Sequence, residues 1–352
     1  MFKNKLYLCR QNDAIVGWDT SFFMLVVADK YIPFLGGIIE PYAEVIYLDP
    51  QEINSETIKE ADALFVRTRT RCDESLLKNS RVRFIATATI GYDHIDTHYC
   101  ETNGIRWTNA PGCNAQGVCD YVEAALQEIE KRKLVPAQPT IGIIGVGHVG
   151  SLVAKMAAKR GYRVLLNDPP RMEAEGGLLN KEKWQSISTI QKEADVITFH
   201  TPLNRYGKYP TFHLCDRSFL DQCQSTAVII NAARGGVVDE QALLSTLNKT
   251  DNRHIAVLDT WEGEPRINKD LLNKVLIGTY HIAGYTLQGK VNATNMCLQA
   301  FCQHFQLPSL QIPQNSLPLQ PERQKEWILQ ADKLLKANPE QFETLRETYR
   351  LR

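Results

Sequence analysis

The segment 140–168 constrains the fold of this chain most strongly, because its glycine spacing suits few structures. It starts with an apolar run at 141–144, which is typical of a buried strand. Three glycines in G-x-G-x-x-G spacing come next, followed by a helical pattern that ends at Gly161 and a second apolar run before Asp168. Strand, glycine loop, helix and strand in this order predict the first β-α-β unit of a dinucleotide-binding domain.

Each part of this unit has a physical reason to bind a dinucleotide. Gly145 permits the tight turn after the strand, Gly147 lets the backbone approach a pyrophosphate, and Gly150 lets helix and strand pack closely. The helix N-terminus offers free N–H groups to the phosphates. Asp168 can accept hydrogen bonds from both ribose hydroxyls and would repel a 2′-phosphate, so the predicted cofactor is NAD rather than NADP.

Length, charge and cysteine content limit the remaining possibilities. A chain of 352 residues is too long for one ordinary core and predicts two domains or more. Its 40 basic and 40 acidic side chains balance, so neither nucleic acid nor a membrane surface is an expected partner. The 9 cysteines lack metal-binding spacing, which indicates free thiols in the cytoplasm and no metal site. No apolar run reaches the ~20 residues of a membrane span.

Strand and helix signals alternate from Met24 onward, which predicts an α/β protein. We expect a Rossmann-like nucleotide-binding domain, a flavodoxin-like α/β substrate domain and a short helical C-terminal segment. The predicted boundaries are 24–114 with 285–307 for the substrate domain, 115–284 for the NAD-binding domain and 308–352 for the C-terminal segment. Residues 1–23 precede the first convincing strand, so we interpret them as a dispensable extension or as translation from upstream of the true start.

The C-terminal segment carries more apolar surface than two short helices can leave in water. These apolar side chains are Trp327, Ile328, Leu334, Leu335, Phe342, Leu345 and Tyr349. They must therefore pack on their own chain or on a partner, and the segment is a candidate dimerisation element.

Three polar segments follow predicted strands in the second half of the chain, where open α/β sheets place their ligands. They offer one cation, one carboxylate and one imidazole, at Arg234, Glu264 and His281. Oxidising a hydroxyl by hydride transfer needs a base for its proton, and histidine titrates near neutral pH. A carboxylate on the other ring nitrogen would fix the tautomer and raise the pKa, while an arginine would clamp a substrate carboxylate. We therefore predict His281 as the base, Glu264 as its orienting partner and Arg234 as the carboxylate anchor.

At these segments the chain resembles the D-2-hydroxyacid dehydrogenases, over about residues 24–305. That family has the glycine motif, then N-x-x-R-G, then a segment ending in E-P, then H-[IL]-[AG]-G, in the order found here. The resemblance implies that Arg234, Glu264 and His281 form the catalytic set. The segments 111–115 (PGCNA) and 281–286 (HIAGYT) most resemble members that oxidise a small phosphorylated sugar acid.

The resemblance also implies a set of ligand contacts. The predicted cofactor contacts are Gly145, Gly147, His148, Val149, Gly150, Asp168, Thr201, Ala232, Asp259 and Gly284. The predicted substrate contacts are Thr68, Thr89 and Tyr285; Thr68 stands where such members often carry serine, which keeps the hydroxyl. We expect a homodimer, as is usual in the family, although better-known members carry a longer C-terminal dimerisation domain.

Arg67, Arg69 and Arg71 follow a predicted strand at alternate positions. If the backbone is extended, their side chains lie on the same side of the segment, where their guanidinium groups could bind a substrate phosphate. A solvated basic loop explains them equally well. We expect at most one or two of the three to point inward.

These observations predict NAD-dependent oxidation of a phosphorylated sugar acid. Tyr285 and the arginines at 67–71 favour this substrate class over two alternatives with the same chemistry, which act on 3-phosphoglycerate and on glyoxylate or hydroxypyruvate. A third alternative is a non-catalytic, NAD-sensing corepressor of the same fold. The intact set of Arg234, Glu264 and His281 gives no reason to abandon catalysis.

Overall fold

The structure is a computed structural model that describes residues 24–176, 183–250, 254–313, 317 and 326–351. In these ranges the strands form two separate sheets, one of five strands and one of six, and every strand pair is parallel. The α/β class predicted from the alternating pattern is therefore confirmed. The predicted extension at 1–23 lies outside the described residues.

The first sheet has the strand order β2-β1-β3-β4-β5, which is that of flavodoxin-like sheets, as predicted. Its strands are β1 (Leu25–Asp29), β2 (Glu44–Leu48), β3 (Ala63–Val66), β4 (Phe84–Thr87) and β5 (Arg106–Thr108), joined in part by the short helices α1 (Glu74–Leu77) and α2 (Thr97–Thr102). Residues 55–60, between β2 and β3, form turns and no helix. The side chain of Asn54 accepts hydrogen bonds from the N–H groups of Glu56 and Thr57 and favours a turn over a helix.

The second sheet has the strand order β11-β10-β9-β8-β6-β7. Its strands are β6 (Thr140–Ile144), β7 (Arg163–Asn167), β8 (Val196–Phe199), β9 (Val228–Asn231), β10 (Ile255–Leu258) and β11 (Ile277–Gly278). The chain leaves β6 for β7 on one side and returns to β8 on the other, so the direction of winding reverses there. In Rossmann-like sheets this reversal opens a crevice at the carboxyl ends of the strands, where dinucleotides bind.

Helices pack on both faces of the second sheet. They are α3 (Ala115–Lys131), α4 (His148–Lys159), α5 (Pro169–Ala174), α6 (Ile187–Glu193), α7 (Arg217–Gln222), α8 (Glu240–Leu247) and α9 (Lys269–Lys274). Side chains of β9 alternate between the faces: Ile229 belongs to the core with α6 to α9, and Val228 and Ile230 belong to the core with α3 and α4. None of the helices in the described ranges is long and apolar enough to span a membrane.

A long helix, α10 (Leu287–Phe305), connects the second sheet to the first. Its Phe301 meets Phe65 of β3 and Phe84 of β4 edge to face, at ring-centroid distances of 5.3 Å and 5.9 Å. At its start the hydroxyl of Thr286 accepts a hydrogen bond from the N–H of Gly289 and caps the helix. The helix therefore ties the segment after β11 to the core of the first sheet.

The C-terminal segment packs on its own chain. It forms α11 (Trp327–Ala337) and α12 (Phe342–Glu347), with a 3-10 turn at Pro339–Gln341 between them. Leu335 and Phe342 are fully buried in the core of the second sheet, and Asp332 accepts a hydrogen bond from the N–H of Gly278 in β11. Leu335 and Phe342 are thus buried against the same chain, and a role of this segment in dimerisation stays a prediction.

We expect Phe342→Ala to lower the free energy of unfolding by about 3–5 kcal/mol, because it leaves a cavity in a packed core. Leu334→Ala is the matched control on the same segment, since Leu334 is 48% exposed and should contribute less than about 0.5 kcal/mol. Urea unfolding followed by tryptophan fluorescence measures both. Equal effects of the two substitutions would contradict this packing of α12.

Candidate active site

A cleft of about 320 Å³ lies between the carboxyl ends of the two sheets. It is bounded by the glycine loop, the ends of β8, β9 and β10, and the loops before α3 and α10. Predicted site residues on its wall are Gly147, His148, Val149, Thr201, Ala232, Arg234, Asp259, His281, Gly284 and Tyr285. The structure thus brings cofactor, catalytic and substrate candidates into one cleft at the place where a Rossmann-like sheet binds its ligand.

The glycine loop has the form that a pyrophosphate requires. Gly145 has φ +88°, which favours glycine, and a Cβ on Gly150 would lie 2.0 Å from the carbonyl oxygen of Gly145. A Cβ on Gly147 would meet no atom within 4 Å, so the space above the loop is open. Helix α4 begins at His148, and its free N–H groups face this region as an anion site.

Asp168 stands directly after β7 and beside the glycine loop. Its carboxylate accepts hydrogen bonds from the N–H of Val146 at 2.8 Å and from the N–H of Arg171 at 3.0 Å, the second as the N-cap of α5. These bonds fix the orientation of the carboxylate and leave lone pairs for ribose hydroxyls. This arrangement fits the adenosine ribose of NAD.

Three buried polar atoms on the cleft wall have no hydrogen-bond partner among the described residues: Oδ1 of Asn114, Nδ1 of His200 and Oγ1 of Thr201. Unpaired buried polar atoms are costly, so these atoms fit a ligand that has donors and acceptors, such as a nicotinamide. Burial lowers the pKa of His200 to about 3 and keeps its ring neutral. Asn114 was not among the predicted contacts, although it lies in the PGCNA segment that signalled the resemblance.

Asp259 shapes the loop that carries His281. It is fully buried and accepts hydrogen bonds from the N–H groups of Ile282 at 2.8 Å and Ala283 at 2.9 Å, and from the hydroxyl of Thr279 at 2.7 Å. The backbone of His281 has φ +59°, a left-handed conformation that costs free energy in a residue with a side chain. The bonds to Asp259 hold this conformation in place.

His281 and Glu264 form the hydrogen-bonded pair that the sequence predicts. Nδ1 of His281 lies 2.8 Å from Oε2 of Glu264, whose Oε1 accepts a hydrogen bond from the N–H of Trp261 at 2.8 Å. Burial by itself lowers the pKa of His281, but the hydrogen bond and charge of Glu264 outweigh it, so the pKa is raised. With Nδ1 engaged by the carboxylate, Nε2 is the nitrogen left for a substrate.

Arg234 also lines this cleft; it is an exposed residue, and its Nη1 donates a hydrogen bond to the carbonyl of Ala233 at 2.8 Å. Among the predicted substrate contacts, Tyr285 lines the cleft, whereas Thr68 and Thr89 lie outside its wall on the loops after β3 and β4. The hydroxyl of Thr89 donates to the carbonyl of Gly91 at 2.9 Å.

The three arginines after β3 have different partners. Arg67 forms two hydrogen bonds with the fully buried carboxylate of Asp29, at 2.8 Å and 3.3 Å. Arg69 pairs with carboxylates of α12, and Arg71 pairs with Asp73 while its side chain is 80% exposed. Arg71 is therefore a solvated surface charge, and Arg67 is the member that points inward.

We expect Gly150→Ala to destabilise the protein without ligand by about 1–3 kcal/mol, because the new methyl group collides with a backbone carbonyl. Gly147→Ala should leave thermal stability unchanged and weaken only NADH binding, because its methyl group occupies the space for the pyrophosphate. Thermal unfolding without ligand and a fluorescence titration with NADH distinguish the two effects. Wild-type affinity in Gly147→Ala would mean that the loop does not hold the pyrophosphate.

Comparisons with known proteins agree with this geometry. The model of the D-isomer specific 2-hydroxyacid dehydrogenase, NAD binding domain, matches residues 123–283. An erythronate-4-phosphate dehydrogenase of Bacteroides thetaiotaomicron is 46% identical over 343 residues, which cover 94% of this chain and 97% of that protein. An erythronate-4-phosphate dehydrogenase of Porphyromonas gingivalis is 38% identical over 345 residues, which cover 93% of this chain and 92% of that protein.

A solved structure has the same fold. It is a D-isomer specific 2-hydroxyacid dehydrogenase of Lactobacillus delbrueckii in its NAD complexed form, with a TM-score of 0.66 and 22% identity, covering 82% of this chain and 99% of that one. The glycine loop, the His281–Glu264 pair and the high identity along nearly the whole chain lead to one conclusion. The chain belongs to the erythronate-4-phosphate dehydrogenases, within the NAD-binding D-isomer specific 2-hydroxyacid dehydrogenase family.

Proposed function

We propose that this protein oxidises 4-phospho-D-erythronate to (R)-3-hydroxy-2-oxo-4-phosphooxybutanoate with NAD, a step in pyridoxal 5′-phosphate biosynthesis. The names of relatives that are 46% and 38% identical along nearly the whole chain support the substrate. The observation that carries the chemistry is His281, which lies on the wall of the same cleft as the glycine loop and is hydrogen-bonded to Glu264.

Each catalytic candidate has one task in this reaction. Nε2 of His281 accepts the proton of the 2-hydroxyl group while the hydride leaves C2, the carbon that carries this hydroxyl group. The imidazolium later releases the proton to solvent. Glu264 holds Nδ1–H and stabilises the imidazolium that forms. Arg234 binds the substrate carboxylate through its guanidinium. When bound, NAD supplies the acceptor for the hydride.

We also propose that residues 24–114 with 285–307 form the substrate domain and that residues 115–284 form the NAD-binding domain. The packing of α10 on the first sheet supports the return of the chain to the substrate domain. Domain closure over the cleft would exclude water from the hydride transfer. A homodimer in the cytoplasm is proposed from the family resemblance, and sedimentation of the purified protein tests the dimer.

A panel of 2-hydroxy acids with NAD tests the substrate. The panel contains 4-phospho-D-erythronate, 3-phospho-D-glycerate and D-glycerate. The reverse reaction, reduction of the corresponding 2-oxo acids with NADH, is measured as well, since the equilibrium of such oxidations favours the alcohol. The highest kcat/KM is expected for 4-phospho-D-erythronate. If another acid gave the highest kcat/KM, the proposed substrate would be wrong and the proposed hydride transfer would remain. If no acid were turned over, the NAD-sensing alternative would be favoured.

We expect His281→Ala to reduce turnover by about 10²–10⁴-fold, the usual contribution of a general base. NADH binding should persist, because the glycine loop and Asp168 are untouched. The control is His98→Ala, since His98 is an exposed histidine on α2. Steady-state kinetics and a fluorescence titration measure the two properties. Near-normal turnover in His281→Ala would remove this residue from the mechanism.

Glu264→Gln should move the acid limb of the pH profile to lower pH. Oxidation needs neutral His281, so kcat/KM falls as pH drops through the pKa of this residue. The negative charge of Glu264 stabilises the protonated ring and raises that pKa, and removing the charge lowers it. Glu262→Gln is the control, because Glu262 pairs with His213 instead and should leave the limb in place. If the acid limb of Glu264→Gln were unchanged, Glu264 would not determine the pKa of His281.

A further inference from the structure

The C-terminal helix α12 borders the catalytic pair. Nη1 of Arg346 lies 3.8 Å from Oε2 of Glu264, the carboxylate oxygen that bonds His281. The ring of Tyr349, just beyond the helix, lies 6.5 Å from the ring of Tyr285 on the cleft wall. The C-terminal segment therefore contributes side chains beside the place where substrate would react.

This helix is held from both sides of the cleft. Phe342 is buried in the core of the second sheet, and Glu340 pairs with Lys269 of α9. On the other side Glu343 and Glu347 pair with Arg69, which follows β3 of the first sheet. Anchors on both sheets fix the position of Arg346 relative to the cleft.

A second cation, Lys290, lies in the first turn of α10. Its Nζ is 4.8 Å from the centroid of the Tyr285 ring, and among the described residues no carboxylate pairs with it. Burial lowers the pKa of Lys290, and the nearby charges of Arg67 and Arg346 lower it further. The side chain is half-buried beside two guanidinium groups, which is an unfavourable position for an ammonium group without an anion.

Nearby carboxylates neutralise the arginines but not this lysine. Asp29 takes both hydrogen bonds of Arg67, and Glu343 accepts a hydrogen bond from Nη2 of Arg346 at 2.7 Å. Among the residues that the structure describes, Lys290 is thus the cation of this group without a carboxylate partner. A dianionic group that lies between Lys290 and Arg346 would supply the missing negative charge and accept hydrogen bonds from both.

We propose that Lys290, Arg346 and the hydroxyl of Tyr285 bind the phosphate group of the substrate, so that α12 supplies a specificity-determining cation. This inference rests on the proposed function and names its phosphate site. Only two carbons and one oxygen separate the phosphorus of 4-phospho-D-erythronate from the carbon that is oxidised. The phosphate must therefore lie close to His281, and Arg346 lies in this region, 3.8 Å from Glu264.

The test compares a phosphorylated acid with its unphosphorylated counterpart. We expect Lys290→Met and Arg346→Ala to reduce kcat/KM for 4-phospho-D-erythronate by about tenfold to a hundredfold, mainly through KM, because each loses a charged hydrogen bond. The same variants should change kcat/KM for D-erythronate little, and Arg346→Lys should restore part of the loss. Arg350→Ala is the matched control, since Arg350 is exposed at the end of the same segment.

Equal losses with both acids would overturn the proposal and leave Arg346 as a positioning residue for Glu264. A second measurement, calorimetric titration of the NADH complex with inorganic phosphate, separates this result from a wrong substrate. If the wild-type protein binds phosphate and the Lys290 and Arg346 variants do not, the phosphate site stands even when 4-phospho-D-erythronate is not turned over. Phosphate binding that the variants retain would reject the site.

Discussion

The site depends on one buried carboxylate, that of Asp259 at the end of β10. A buried charge is costly unless hydrogen bonds compensate for it, and three donors on the segment 279–283 do so here. These bonds hold His281 in its left-handed backbone conformation and set Gly284 on the cleft wall. The side chain of Asn114 packs directly on Gly284, where a Cβ would lie 2.1 Å from its Nδ2. The loop before α3 therefore packs closely against the loop before α10.

The same loop joins the two halves of the molecule. Thr279, which donates to Asp259, also bonds the hydroxyl of Tyr121 in α3 at 2.8 Å. Immediately after the loop, α10 crosses to the first sheet and buries Phe301 there. A change in the angle between the sheets would therefore act on the segment that holds His281, which connects domain motion with the geometry of the proposed base.

The C-terminal segment adds a second connection across the cleft. Its apolar side chains pack on the second sheet, whereas its acidic side chains meet Arg69 of the first. Exposed ion pairs contribute little stability each, so the buried Phe342 fixes the helix and the ion pairs select its orientation. In this arrangement Arg346 lies beside the proposed catalytic pair, and the segment is part of the proposed site.

Much of the fold and the hydrogen-bonded pair of His281 and Glu264 could be predicted from sequence, because their signals are local. The glycine spacing at 145–150 requires a specific backbone path, and apolar runs followed by polar segments mark the carboxyl ends of parallel strands. The pairing of His281 with Glu264 was predicted from the chemistry of hydride transfer, which needs a base and a group that orients it. These features need no knowledge of how distant segments pack.

The tertiary structure decided what depends on distant segments. Three arginines at alternate positions look equivalent in sequence, but a buried Asp29 selects Arg67, and α12 selects Arg69. Lys290 and Arg346 lie on different helices far apart in the chain, and neither occurs in a motif. Their shared surroundings result from the packing of the C-terminal segment across the cleft, and no periodicity or spacing encodes that packing. The sequence by itself determined the glycine loop and the proposed acid–base pair, and only the tertiary contacts placed Arg346 beside Glu264.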